Sequence, residues 1–116
     1  MVRYSRRLAS SRAVVLTVDE PTGVATIRMN QPAKLNAWTP AMYAGLCSAF
    51  DRAARDARVR AAVYTATGAY FSTGGDFVGL MRSAAATSPW RLRPRIAALN
   101  ERMFENFVGF PKPLVA

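Results

Sequence analysis

Two short segments hold the residues best able to do chemistry. Phe71-Ser-Thr-Gly-Gly-Asp-Phe77 places consecutive glycines, Gly74 and Gly75, between flanking aromatics. Glycine reaches dihedrals closed to other residues and lets a ligand come close to the main chain. Where such a turn leads into a helix, its N–H groups are free beside a positive dipole end. They suit a phosphate or a developing oxyanion, and a purely structural turn has the same composition. Neither GxxxxGKS/T nor GxGxxG spacing is present, so a nucleotide P-loop or a Rossmann fingerprint is not supported. The second segment, Asn30–Trp38, has an Asn-x-Pro turn, Lys34 and the Asn36-Ala37 pair just before a helix. Main-chain groups and one ammonium there suit a polar, anionic ligand, and they equally suit a plain strand-to-helix connection.

Other chemistries fall away on residue type. The chain has no histidine, which excludes a Ser-His-Asp triad or a histidine base built from its own residues. Its one cysteine, Cys47, excludes an internal disulfide and a Cys/His metal site. Acid–base work would then need a carboxylate, and none is persuasive. Asp19 and Glu20 fall in a turn, and Asp51 and Asp56 stand four residues from Arg55 and Arg52 as helix-surface pairs. Asp76 reads as a cap on the helix that follows, and Glu101 and Glu105 lie off the apolar stripe of their helix.

The elements that must position the two segments are legible in the hydropathy pattern. Ala13–Asp19 is β-branched and apolar, Val24–Met29 alternates, and Glu20-Pro-Thr-Gly23 between them makes a hairpin. Thr39 and Pro40 are an N-cap with proline at the first helical position. Met42, Leu46, Ala49, Phe50, Ala53 and Ala57 then recur at helical spacing, which predicts a helix over 40–57. A strand follows at Ala61–Ala66. A short helix is expected from Val78, Leu80 and Met81, then a loop over Ser83–Pro89. A second long helix is expected from near Pro94 to Gly109, with Ile96, Leu99, Met103, Phe104 and Phe107 on one stripe, and a new strand begins in Pro111–Ala116.

This order is an α/β layered fold in which strands separated by helices run parallel. The 116 residues and 51% hydrophobic content fit one domain or part of one, and no apolar run approaches the ~20 residues of a bilayer span. A sheet that stops two or three residues into a strand is physically incomplete. The formal charge is +9, nearly all of it arginine, which favours anionic partners without choosing among them. Residues 1–12 hold four arginines, three serines and no acid, the composition of a frayed basic tail or an organelle-targeting segment.

Taken in order, the motifs across residues 23–80 and the later "FPKPLVA" at 110–116 resemble the crotonase superfamily, the enoyl-CoA hydratases and isomerases. The resemblance implies a crotonase-like α/β domain of ββα repeats, with residues 13–116 as its incomplete N-terminal part. It implies that Lys34, Leu35, Asn36 and Ala37 line a coenzyme A site. By the same resemblance Ser72, Thr73, Gly74, Gly75 and Asp76 carry the first half of an oxyanion hole, with the Gly75 N–H as donor. Thr73 and Phe77 would help hold the adenine and pantetheine parts of the ligand. No permanent cofactor and no metal are implied, only a coenzyme A thioester as substrate.

The family's second oxyanion donor and its catalytic carboxylate match positions beyond Ala116. Loss of one donor costs on the order of 3 kcal/mol of transition-state stabilisation, and loss of the carboxylate removes proton transfer, so the chain as given is expected to be inactive. "FPKPLVA" and "YFSTGGDF" look most like the peroxisomal-type Δ3,Δ2-enoyl-CoA isomerases of fatty-acid β-oxidation, with a hydratase as the alternative. The resemblance further implies an intracellular protein of a peroxisome-like organelle or mitochondrion, and a homotrimer or hexamer. A non-catalytic basic module binding RNA is a competing reading, and the absence of an RNP-type aromatic and basic platform argues against nucleic acid.

Overall fold

The computed structural model describes residues 5–10, 13–76, 79, 82 and 88–116. Five strands form one sheet in sequence order: β1 (Ser5–Ser10), β2 (Val14–Asp19), β3 (Val24–Met29), β4 (Ala61–Ala66) and β5 (Leu114–Val115). The hairpin β2–β3 is antiparallel, while β3–β4 and β4–β5 are parallel. Each parallel step is bridged by a helix, as a crossover requires: α1 (Pro40–Arg55) and α2 (Pro89–Val108).

Alternation in the strands puts one face of the sheet in the core. Leu16 stands opposite Ile27, and Ile27 is in register with Tyr64, so residues two apart along each strand line the same buried face. Met42, Leu46, Ala49, Phe50 and Ala53 from α1 close that face. Phe50 meets Tyr64, Phe107 and Phe110 edge-on, with ring centroids 5.8, 5.0 and 5.7 Å away. One side chain thereby joins α1, β4, α2 and the segment leading to β5. At the hairpin, Gly23 has φ +69°, and a Cβ there would stand 2.8 Å from the Arg58 carbonyl oxygen, so the turn needs glycine.

Several expectations are corrected. Within the 1–12 segment expected as a basic tail or targeting segment, residues 5–10 pair antiparallel with β2 as an edge strand, which a frayed tail would not do. Helix α1 ends at Arg55 rather than 57. Helix α2 starts at Pro89 rather than near Pro94, and Pro89 takes the first-turn place the sequence reading gave to Pro94. Pro94 is tolerated inside the helix because the bond it cannot make would go to Trp90, whose carbonyl sits in the exposed first turn. The expected pairs within α1 also dissolve: Asp56 pairs with Arg58 at 2.7 Å, and Asp51 reaches Arg102 of α2 at 3.8 Å. The short helix expected from Val78, Leu80 and Met81, and most of the 83–89 loop, lie outside the described residues.

Candidate functional site

Parallel neighbours release their next loops at the same end of a sheet. Met29 and Ala66 are in register at the ends of β3 and β4, so the chain after each leaves side by side. The first loop tightens into a 3₁₀ turn at Pro32–Lys34, then carries Leu35 and Asn36 through the left-handed region at φ 51° and 50°. That conformation is rare for a side chain such as leucine and persists only where neighbours enforce it. Thr39 then caps α1, its Oγ1 accepting from the Met42 N–H at 3.1 Å.

Asn36 enforces the conformation. It is fully buried, its Oδ1 accepts from the Gln31 N–H at 2.9 Å, and its Nδ2 donates to the carbonyls of Thr67 at 2.9 Å and Tyr70 at 3.0 Å. Both amide protons are used, so this side chain holds the two loops together. The main chain continues the join. Ser72 Oγ donates to the Asn36 carbonyl at 2.7 Å, the Thr73 N–H to the Leu35 carbonyl at 3.1 Å, and the Trp38 N–H to the Gly74 carbonyl at 2.7 Å.

The state of the glycine N–H groups follows from these bonds. The Gly74 N–H donates to Ser72 Oγ at 3.0 Å and is spent. The Gly75 N–H belongs to the same rigid peptide plane as the Gly74 carbonyl. In a trans peptide those two groups point opposite ways. Because the carbonyl is drawn toward Trp38, the Gly75 N–H points away from the loop, and it has no partner among the described residues. Gly75 is exposed, and a Cβ built on it would meet nothing within 4 Å. A phosphate nest uses successive free N–H groups; with the first one taken, the turn suits a single acceptor oxygen.

The remaining residues fall around this donor. Lys34, Leu35 and Ala37 sit on the facing loop, with Lys34 and Leu35 exposed. The Lys34 ammonium has no partner among the described residues. Thr73 is exposed on the glycine turn. Asp76 accepts the Gly79 N–H through Oδ1 at 3.0 Å, as a capping residue would. Phe77 lies outside the described residues. The other carboxylates stand elsewhere: Glu20 and Asp56 converge on Arg58 beside the hairpin turn, at the opposite end of the sheet. A cleft of about 540 Å³ between α1 and α2, lined among others by Cys47, Arg52, Arg55 and Arg102, shares no residue with the two loops. Among the described residues no group of three or more His, Cys, Asp or Glu could hold a metal ion, and no helix is long and apolar enough to cross a membrane.

Sequence reasoning missed Trp38, Thr67 and Tyr70 because they act through backbone atoms, which leave no mark in residue type. The side-chain bonds of Asn36 to Gln31, Thr67 and Tyr70 likewise leave no mark in residue type.

Comparisons with known proteins give the chain's family and fold. The family model described as Enoyl-CoA hydratase/isomerase matches residues 19–109. The mouse protein "Enoyl-CoA delta isomerase 3, peroxisomal" is 34% identical over 109 residues, covering 91% of this chain and 32% of that protein. "Enoyl-CoA delta isomerase 2" of Rattus norvegicus is 35% identical over 107 residues, covering 91% of this chain and 26% of that protein. The structure of a putative enoyl-CoA hydratase/isomerase from Mycobacterium abscessus superposes with TM-score 0.80 at 26% identity, covering 88% of this chain and 38% of that one. The chain thus spans 26–38% of the length of these relatives.

Proposed function

The chain belongs to the enoyl-CoA hydratase/isomerase family, and from that membership we propose that it supplies the coenzyme A loop and first oxyanion donor of an enoyl-CoA isomerase. The observation that carries this reading is the outward Gly75 N–H, unpartnered among the described residues and open to one oxygen. In the reaction a carboxylate base takes a proton from C2 of a Δ3-enoyl thioester. The electron pair moves onto the thioester oxygen, where the Gly75 N–H stabilises it, and the proton returns at C4 to give the Δ2 isomer. Neither Asp76, occupied as a cap, nor the Asp56 cluster at the far end of the sheet is placed to be that base.

Lys34 would meet the phosphates of coenzyme A, and Leu35, Ala37 and Thr73 would line its path. Asn36, Ser72 and Gly74 would shape that path from below. The isomerase reading over the hydratase reading rests on the two delta isomerase relatives, and the peroxisomal name of one favours a peroxisome-like compartment. A homotrimer or hexamer, as the family resemblance implies, would be read by sedimentation.

The test is to give the intact protein a Δ3-enoyl-CoA and follow product mass. Isomerisation leaves the mass unchanged, while hydration adds one water. Gly75→Pro, which deletes the donor N–H, should lower kcat by about a hundredfold or more. Absence of both products, or full activity in Gly75→Pro, would sink the reading.

A further inference from the structure

The glycine turn offers two adjacent N–H groups, yet among the described residues only one is free, and the cause is a hydroxyl. We propose that Ser72 is a positioning residue that decides which amide of the turn acts as donor; this rests on the reading of Gly75 as the oxyanion donor. Ser72 Oγ accepts from the Gly74 N–H at 3.0 Å and donates to the Asn36 carbonyl at 2.7 Å. The hydroxyl has one proton, and a carbonyl can only accept, so the proton is committed to Asn36 and a lone pair is left for Gly74. The direction of the relay is therefore determined by its ends.

Its far end does not move. Asn36 is buried with three side-chain bonds, so its carbonyl is an anchored acceptor. Its near end holds the 73–74 peptide plane while Gly74 turns through φ +83°. The Trp38 N–H holds the next plane through the Gly74 carbonyl at 2.7 Å. Two consecutive planes are thus pinned by different partners, and the Gly75 N–H inherits its direction from both. Without the Ser72 hydroxyl the Gly74 N–H becomes a second, competing donor, and the Gly74 rotation loses its upstream restraint. A thioester oxygen could then settle between two donors, displaced from the one aligned for the enolate.

The experiment compares the intact protein with Ser72→Ala and Ser72→Cys, using a saturated acyl-CoA carrying a 13C-labelled thioester carbonyl and, separately, the turnover assay. Ser72→Ala should lower kcat by about tenfold or more while KM changes by less than about threefold. The stretching frequency of the bound carbonyl should move toward its value in solution, and the Gly74 amide should exchange with solvent faster. A role confined to folding would leave the carbonyl frequency of the folded, bound variant where it is. Wild-type kcat and frequency in Ser72→Ala overturn the proposal. If that variant does not fold, Ser72→Cys keeps the side chain's size with a weaker donor, and an intermediate frequency supports the proposal while the wild-type frequency overturns it. A wild-type protein that neither binds nor converts the thioester overturns the acyl-CoA reading and this proposal together; an active wild type with an unmoved Ser72→Ala overturns this one alone.

Discussion

The side chain of Asn36 donates to the carbonyl of Tyr70 at 3.0 Å across 34 positions of sequence. With its bonds to Thr67 and Gln31, it replaces the water that two loop carbonyls and one N–H lose on burial. Asn36→Ala takes the partner from those three part-buried groups, which water can reach in part, and should cost about 1–3 kcal/mol. Asn36→Asp should be at least as damaging, because a carboxylate oxygen would face two carbonyls where an NH₂ donated. Chemical denaturation of both variants checks the order, and an Asp variant as stable as wild type would contradict the hydrogen-bond assignment.

The two glycines should respond in opposite ways to alanine. Gly74 has φ +83°, where a Cβ costs about 1–2 kcal/mol, while Gly75 lies outside the positive-φ region and its added Cβ meets nothing. Gly74→Ala is therefore expected to lower stability by about that amount. Gly75→Ala should remain within about 0.5 kcal/mol of wild type and keep its donor N–H. Thermal melts of the pair distinguish them, and equal losses would argue against the backbone geometry of the turn.

Lys112 is the basic residue of the "FPKP" segment, and its ammonium donates to the carbonyls of Ala53 at 2.8 Å and Asp56 at 2.7 Å. The Ala53 carbonyl belongs to the unpaired last turn of α1, and the Asp56 carbonyl, which also accepts the Val59 N–H, lies just past it; there a cation also meets the negative end of the helix dipole. Lys112→Met keeps most of the stem and removes the charge, so the expected loss is about 1–2 kcal/mol. A Lys112→Arg variant that recovers part of it would show that the cation, rather than the stem, is responsible.

Asp56 sets an acid limit on stability. Hydrogen bonds from the Arg58 side chain and backbone, aided by the charges of Arg58 and Lys112, hold its carboxyl at about 2 against an ordinary value of 3.8. A carboxyl depressed in the folded state stabilises it above its unfolded pKa, and the contribution disappears as pH falls from about 4 through about 2. Melting temperature should fall across that window, and Asp56→Asn should flatten part of the fall. An unchanged pH profile in the variant would show that other carboxylates govern acid unfolding.

Tyr64 acts at the alkaline end. Burial raises its phenol above the ordinary value of 10.0, and its hydroxyl lies 3.0 Å from Met29 Sδ. A raised pKa means stability that is complete below about pH 10 and declines as pH climbs toward the folded value. Tyr64→Phe keeps the ring contacts with Phe50 and Phe107 and should make the protein more resistant to base. The check is the midpoint of alkaline unfolding followed by far-ultraviolet circular dichroism.

Local order was written in the sequence because its causes are local. The hairpin follows from alternation and Gly23, helix α1 from its apolar spacing and the Thr39-Pro40 start, and the parallel order from helices set between strands. The glycine turn was visible for the same reason, and so was its capacity to expose N–H groups. The family resemblance named Gly75, but residue types alone did not show which N–H stays free. That depends on Ser72, Asn36 and Trp38 meeting across more than thirty residues, through main-chain atoms that every residue type shares. The partners of Asp51 and Asp56 and the pairing of Ser5–Ser10 with β2 were likewise decided by what the folded sheet brought near. Hydropathy and turn chemistry thus place a turn with exposed N–H groups in this protein; only the tertiary structure decides which of them its neighbours leave free, because a free hydrogen-bonding group is defined by the neighbours that do not take it.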